Sequence, residues 1–403
     1  MKSILTLLAI GARFASASSE SYQRLVTIPW APSNSTSVDQ SVIYNGTYYL
    51  SDRANKGVQV VDFSTTRQAT LIEGFQGLVT VDGKPDYTKS GPDGILILPD
   101  RKELYVGDGN GSVKVVDLAT NSIVANITVN STKRADKMAY DVESGTVVCT
   151  LPNENSPQVA VISAKSRTVK GYITFDEASS LEQPAWNSVN KQFYISIPST
   201  KTNPGGAVAV IDVNGFNISK MLPLPQCIPA GIVFGPQQNL FVGCSQNQIM
   251  AHNMSYSLVM NVTTGDIVAN ISGVSGVDQV TYDSHAGCYY ASAYRNLAGG
   301  ISTGAPLPQL AVINASTNQL FQAIKTDNVT ACSVAVDPIT KDFVVPVYQT
   351  GFVVYSLTNT TSGNSTNGNS TTSASSTSGV NETVVIHSFC YILLVLFAGI
   401  SNI

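Results

Sequence analysis

A short phrase recurs seven times along the chain. It is a run of β-branched residues closing on a small or acidic one: Val60-Val61-Asp62, Val115-Val116-Asp117, Val161-Ile162-Ser163, Val210-Ile211-Asp212, Val259-Met260-Asn261, Val312-Ile313-Asn314 and Val354-Tyr355-Ser356. The steps between closing residues are 55, 46, 49, 49, 53 and 42. A strand-forming repeat at this period marks a unit of a few strands that cannot bury its faces alone and must stack on its neighbours.

The second unit reads most clearly. Gly94 to Leu98 is apolar throughout, as expected of a strand beside a central axis, and Pro99 to Lys102 turns the chain. Leu104-Tyr105-Val106-Gly107 forms a second strand, and Asp108-Gly109-Asn110-Gly111 a tight hairpin turn. Ser112 to Asp117 alternates with period two, and Ile123 to Val129 completes the set. Four antiparallel strands joined by short turns make one blade, so the expected fold is all-β: a seven-bladed β-propeller. First strands are expected at Ser41-Val42-Ile43, Ile95, Met138-Ala139-Tyr140, Ala185-Trp186, Ile232-Val233-Phe234, Val280-Thr281-Tyr282 and Val334-Ala335-Val336. The seventh unit runs out after Leu357 with no fourth strand, whereas Arg24-Leu25-Val26-Thr27-Ile28 is a spare strand ahead of the first unit. The N-terminal segment is therefore expected to complete the last blade, which removes open sheet edges.

The residues Leu104-Tyr105-Val106-Gly107, Val115-Val116-Asp117-Leu118-Ala119-Thr120-Asn121 and Ile123-Val124-Ala125-Asn126-Ile127 resemble the YVTN-repeat (YncE-like) β-propeller family, which includes surface-layer proteins. The resemblance runs over most of Val42 to Leu357 and implies the fold more than any activity. This chain departs from it at the blade starts, where a Gly-x-x-Pro of the family is often replaced by an acidic residue.

The two ends speak of location. Ile4 to Ile10 is apolar and is followed by Ala15-Ser16-Ala17, the pattern of a secretory signal peptide over residues 1–19. The propeller is expected over 20–358. Residues 359–378 are nearly all Ser, Thr, Asn and Gly, the composition of a disordered stalk. Residues 379–403 hold an apolar tail with no Lys or Arg after it. Small residues at Ser376, Ser378 and Gly379 before that tail fit a GPI-anchor signal that is removed on attachment; the alternative is a tail-end transmembrane helix. Asn-x-Ser/Thr sequons begin at Asn34, Asn45, Asn110, Asn126, Asn130, Asn217, Asn253, Asn261, Asn270, Asn314 and Asn328 in the body. Together these features are similar to a fungal-type GPI-anchored glycoprotein of the cell surface, held at the outer leaflet of the plasma membrane or in the wall.

Charged residues make up 12% of the chain, the net charge is −4, and no basic run occurs, so nucleic acid is not an expected partner. The chain is expected to act as a monomer, touching membrane only through its lipid. Of six cysteines, Cys227 and Cys244 flank a hairpin and are the expected disulfide.

Chemistry is sought at the loops that lead into each first strand, since these surround one mouth of a propeller's channel. Five of the seven carry an acid: Asp39, Asp93, Asp136, Glu182 and Asp278. Several like charges around one mouth require compensation. A Ca²⁺ ion is one candidate, since calcium takes several oxygen ligands. A polar or cationic ligand is another, with Lys133, Arg134, Gln183, Gln279 and Arg295 as further contacts. A third reading has each acid bonding backbone N–H groups between blades. No Ser-His-Asp arrangement or zinc spacing is present. Three functions follow: a cell-surface binding and interaction scaffold for an extracellular ligand, a secreted metal-dependent hydrolase of the lactonase or gluconolactonase kind, or a structural wall protein.

Overall fold

The computed structural model describes residues 19–62, 67–327 and 329–360. Residues 1–18 of the leader, the stalk beyond Thr360, the expected anchor positions Ser376, Ser378 and Gly379, and the sequon residue Asn328 lie outside the described residues.

Seven four-stranded antiparallel sheets are arranged as a propeller. Blade 1 comprises Val38–Tyr44, Thr47–Asp52, Gly57–Asp62 and Ala69–Glu73. Blade 2 comprises Ile95–Leu98, Glu103–Asp108, Ser112–Asp117 and Ser122–Thr128, within a residue or so of the expected bounds. Blade 7 takes Ala335–Val336, Phe343–Val347 and Gly351–Thr360 from one end of the chain and Ser19–Ile28 from the other. The N-terminal strand thus fills the outer position as the spare strand implied. It starts at the last residue assigned to the leader, and its pairing runs through Ser19↔Thr360, two residues into the expected stalk. One short helix, Gln246–His252, links the second and third strands of blade 5 and was not legible in the repeat.

The repeated phrase has a local cause on each side of it. Its closing residue folds back on the turn that follows. Asp117 Oδ1 accepts the N–H groups of Ala119 and Thr120, Asn261 Oδ1 those of Thr263 and Thr264, and Asn314 Oδ1 those of Ser316 and Thr317. A short side chain with an acceptor oxygen makes this turn at little entropic cost, so Asp and Asn recur. The β-branched pair before it coincides with a bulge. The register to the outer strand shifts between Val115/Val116, Val161/Ile162, Val210/Ile211, Val259/Met260 and Val312/Ile313. In blade 7 the shift falls between Arg24 and Val26 of the outer strand itself. A bulge increases local twist, which a radial blade needs at its rim.

The packing is one continuous ring. Buried side chains form seven clusters, each lying between two adjacent blades. Leu98, Val113 and Val115 of blade 2, for example, meet Val147, Ala160 and Ile162 of blade 3. The cluster between blades 7 and 1 joins Ile28 and Trp30 from the N-terminus with Phe352 and Val354 from the C-terminus and with Tyr48 and Leu50. Tyr22 anchors the closing strand toward blade 6. Its hydroxyl lies 2.7 Å from that of Tyr290, its ring centroid 4.9 Å from that of Phe343, and its backbone N–H donates to Gln322 Oε1 at 2.8 Å. Burial pushes the Tyr22 phenol up to about 12.

Closure can be tested at this anchor. Tyr22→Phe is expected to lower stability by about 1–2 kcal/mol, since Tyr290 loses a buried hydrogen-bond partner. Tyr22→Ala is expected to lower it by about 3–5 kcal/mol through the cavity left among Tyr290, Phe321 and Phe343. Urea unfolding of the two proteins measures both values, and equal stabilities would show that the strand adds nothing to the ring.

Candidate functional site

The leading loops bring the five acids to one mouth in two groups. Asp39, Asp93 and Asp136 place a carboxylate oxygen each within 4.8 Å of one another, and all three are buried. Glu182 and Asp278 meet on the ammonium of Lys137, with Nζ 2.6 Å from Glu182 Oε2 and 2.8 Å from Asp278 Oδ1. Local backbone geometry explains the first group. Blade 1 carries an irregularity between Val38 and Ser41 that turns Asp39 and Gln40 out of the regular pairing. Gly94 follows Asp93 where a Cβ would lie 2.2 Å from the carbonyl oxygen of Asp136, so the two acidic loops approach only because that side chain is absent.

Three cations hold these acids. Arg53, 2% exposed, donates through Nε to Asp93 Oδ1 at 2.8 Å and through Nη1 to the Val38 carbonyl at 2.8 Å, and its Nη2 pairs with Asp39 and Asp93. Arg134 lies 3.0 Å from Asp136 and 3.5 Å from Asp93. Lys137 joins the second group. Arg134 was expected as a site residue; Arg53 was not. It follows the second strand of blade 1, outside the loops that lead into first strands. The signal was there, since the loop after a second strand opens on the same mouth.

The segment 76–92, between blades 1 and 2, covers the arginine group. The Leu78 N–H donates to the Arg53 carbonyl at 2.9 Å, the Arg134 N–H to the Thr88 carbonyl at 2.8 Å, and the Tyr87 ring lies 5.7 Å from the Arg53 guanidinium. The other group stays more open: the Glu182 and Asp278 side chains are 13% and 25% exposed. Beside them is a pocket of about 30 Å³ lined also by Ser245, Tyr294 and Arg295. Arg295 stacks on Tyr294 with its guanidinium 5.0 Å from the ring centroid.

Protonation follows from these surroundings. Burial works against a charge on Asp39, but Arg53, Lys137 and Arg134 outweigh it and hold the carboxyl below its usual range. For Asp93 burial wins over Arg53 and Arg134, and its carboxyl is raised well above normal; Asp136 and Glu182 are raised for the same reason. Three carboxylates face two guanidinium groups, so one proton makes the buried group neutral. Asp93 Oδ2 and both oxygens of Asp136 accept no hydrogen bond, so little there relieves the burial of a negative charge.

The other expected contacts are placed as follows. Gln279 donates to the Ser41 carbonyl at 2.7 Å, and its Oε1 accepts from Ser333 and from the N–H groups of Ser41 and Val334, tying blade 6 to blades 7 and 1. Gln183 donates to the carbonyls of Ile232 and Val280, tying blade 4 to blades 5 and 6. These amides serve the framework. Lys133 donates to the Asn153 carbonyl, away from the acid groups. Cys227 and Cys244 form a disulfide, while Cys149, Cys288 and Cys332 are unpaired and buried. Among the described sequons, Asn34, Asn45, Asn110, Asn126, Asn130, Asn217, Asn253 and Asn270 are exposed, and Asn261 and Asn314 are partly so.

No family model matches the chain, and no curated protein matches it. Among solved structures it is similar to a chain of a crystal structure of the mitotic checkpoint complex. The two share 13% identity and a TM-score of 0.60 over 88% of this chain and 96% of that one. At that identity the likeness is one of fold: a WD-repeat-like propeller ring.

Arg53→Met leaves Asp39 and Asp93 buried without their shared cation and is expected to lower stability by about 3–5 kcal/mol. Asp93→Asn, which imitates the protonated acid, is expected to be far milder; chemical denaturation ranks the two, and the opposite ranking would overturn the shared-proton account. The pH dependence has a fixed sign. Groups with raised folded pKa values (Asp93, Asp136, Glu182) take up protons more readily folded than unfolded, so their stabilisation is lost as pH rises through those values. Asp39 and Glu103, whose values are lowered, stabilise only above the unfolded carboxylate range. Melting temperature is therefore expected to be as high at about pH 5.5 as at about pH 8, or higher, and to fall below about pH 4.

Proposed function

We propose that the chain is a binding and interaction scaffold displayed outside the cell: an N-glycosylated propeller of YVTN-repeat type carried on a GPI lipid, in the manner of fungal surface proteins. The observation that carries the binding part is the state of the mouth. Five acids are met there by three internal cations that hold them in place. A hydrolase of the lactonase kind would instead need carboxylates free to hold Ca²⁺. By distance Asp39, Asp93 and Asp136 fit a cation. By charge they do not, because calcium wants six to eight oxygens and would have to displace two guanidinium groups from a buried site. What remains open is the Glu182–Asp278 lip. One oxygen of each carboxylate is engaged by Lys137, and the pair borders a small open pocket at which its negative charge is offered to a cationic group of a partner.

The surface part rests on the leader, the tail and the sequons. The ten sequon asparagines of the body whose exposure is described are at least partly exposed, as glycan attachment requires. Both chain ends of the ring meet in one blade, so a stalk leaving after Thr360 tethers the body at its closing strand.

Two measurements test the proposal. Phosphatidylinositol-specific phospholipase is expected to release the protein from intact cells, and N-glycosidase to lower its apparent mass. Retention on the cells would sink the anchor. Chelation of the released protein is expected to leave its melting temperature unchanged, because a bound ion stabilises only what it binds; a drop on chelation would favour the metal-dependent hydrolase.

A further inference from the structure

The central channel holds a second feature, on the side away from the acid groups. A cavity of about 380 Å³ runs between the first strands of the blades. Its inner end is formed by Gln40, Gln183 and Gln279. Its outer end reaches Asp283 and Pro338, at the first turns of blades 6 and 7, on the face opposite the mouth. Ile43, Ile95, Ile97, Val233 and Val280 line the walls. That size lies within the range of small-molecule pockets, and the lining mixes apolar side chains with polar groups in similar shares.

Of the three glutamines at its inner end, one is without a hydrogen bond. Gln183 and Gln279 bond neighbouring backbones, but Gln40, only 5% exposed, has no hydrogen-bond partner among the described residues. It stands in the blade 1 irregularity beside Asp39, the kind of backbone device that re-aims a side chain. Neither atom of its amide is fully enclosed, so the group is turned to the channel, where only the channel's contents can bond it. The one charged side chain on the lining is Asp283, and it is engaged by the N–H groups of His285 and Ala286 in its own turn. A charged guest would lose its hydration with no counter-charge to meet it.

We infer that the channel is a binding site for a small neutral molecule with an apolar body and one hydrogen-bonding group, which pairs with the amide of Gln40. This site is separate from the Glu182–Asp278 lip and does not depend on where the protein resides.

The probe is the neutral naphthyl ketone 6-propionyl-2-(dimethylamino)naphthalene, whose emission moves to the blue in apolar surroundings and whose carbonyl can accept from Gln40. Wild-type protein is expected to bind it saturably, one molecule per chain, with a blue shift. Gln40→Leu is expected to weaken binding about five-fold, the worth of one hydrogen bond. Ala335→Trp, which puts an indole into the cavity, is expected to abolish it; Thr281→Phe stands in if the first variant is not secreted. Lys191→Gln, in an exposed surface pair with Glu143, is expected to bind as wild type does. Absence of saturable binding to the wild type, or unchanged affinity in Gln40→Leu or in the cavity-filling variant, would overturn the assignment.

Discussion

The ring stands on the pairing of Ser19–Ile28 with Gly351–Thr360. Six of the seven blade interfaces come with the order of the chain. The seventh, between blades 7 and 1, exists only because the two ends are joined. Ile28 and Trp30 bring apolar surface to that interface, Phe352 and Val354 bring its complement, and Tyr22 locks the outer strand against blade 6. Without this pairing both terminal blades would present unpaired edges and a half-buried apolar face. The mouth depends on it as well. Asp39 and Arg53 belong to blade 1 and Lys137 to blade 3, while Asp278 belongs to the start of blade 6, and only a closed ring sets them at fixed distances.

At the centre, electrostatics and framework are hard to separate. Each buried acid has a cation, each cation touches more than one blade, and two glutamines tie first strands together. Such a network is stable when its members are satisfied and costly when one is removed. The mouth is therefore better described as an ionic hub than as a set of vacant ligands. Its more exposed lip and the cavity behind it are where the molecule keeps capacity to bind.

The architecture was legible in the sequence to an unusual degree, and the reason is physical. A phrase such as Val115-Val116-Asp117 encodes a strand, a bulge and an Asx turn at once, and even the copies without all three mark a strand followed by a turn, so seven copies fix seven blades. The spare strand at Arg24 to Ile28 was readable because strand positions must balance around a ring. The convergence of Asp39, Asp93, Asp136, Glu182 and Asp278 followed from the same symmetry. What symmetry could not reveal was anything present once. Arg53 stands in the turn after a second strand in blade 1 alone, the 76–92 cover occurs between one pair of blades, and Gln246–His252 is one short helix in blade 5. The roles of Gln183 and Gln279 were hidden for another reason: their partners lie on blades 49 to 238 residues away along the chain.

The closing strand also sets a clock. Ser19–Ile28 is among the first parts of the propeller to be synthesised, and its partner Gly351–Thr360 is the last. Contacts so distant in sequence form late and slowly. During synthesis the N-terminal strand must stay unpaired while blades 1 to 6 assemble, and blade 7 remains an open template until Thr360 has emerged. A nascent propeller of this kind is most exposed to wrong edge pairing near the end of its synthesis, and a chaperone that shields strand edges would matter most at that moment.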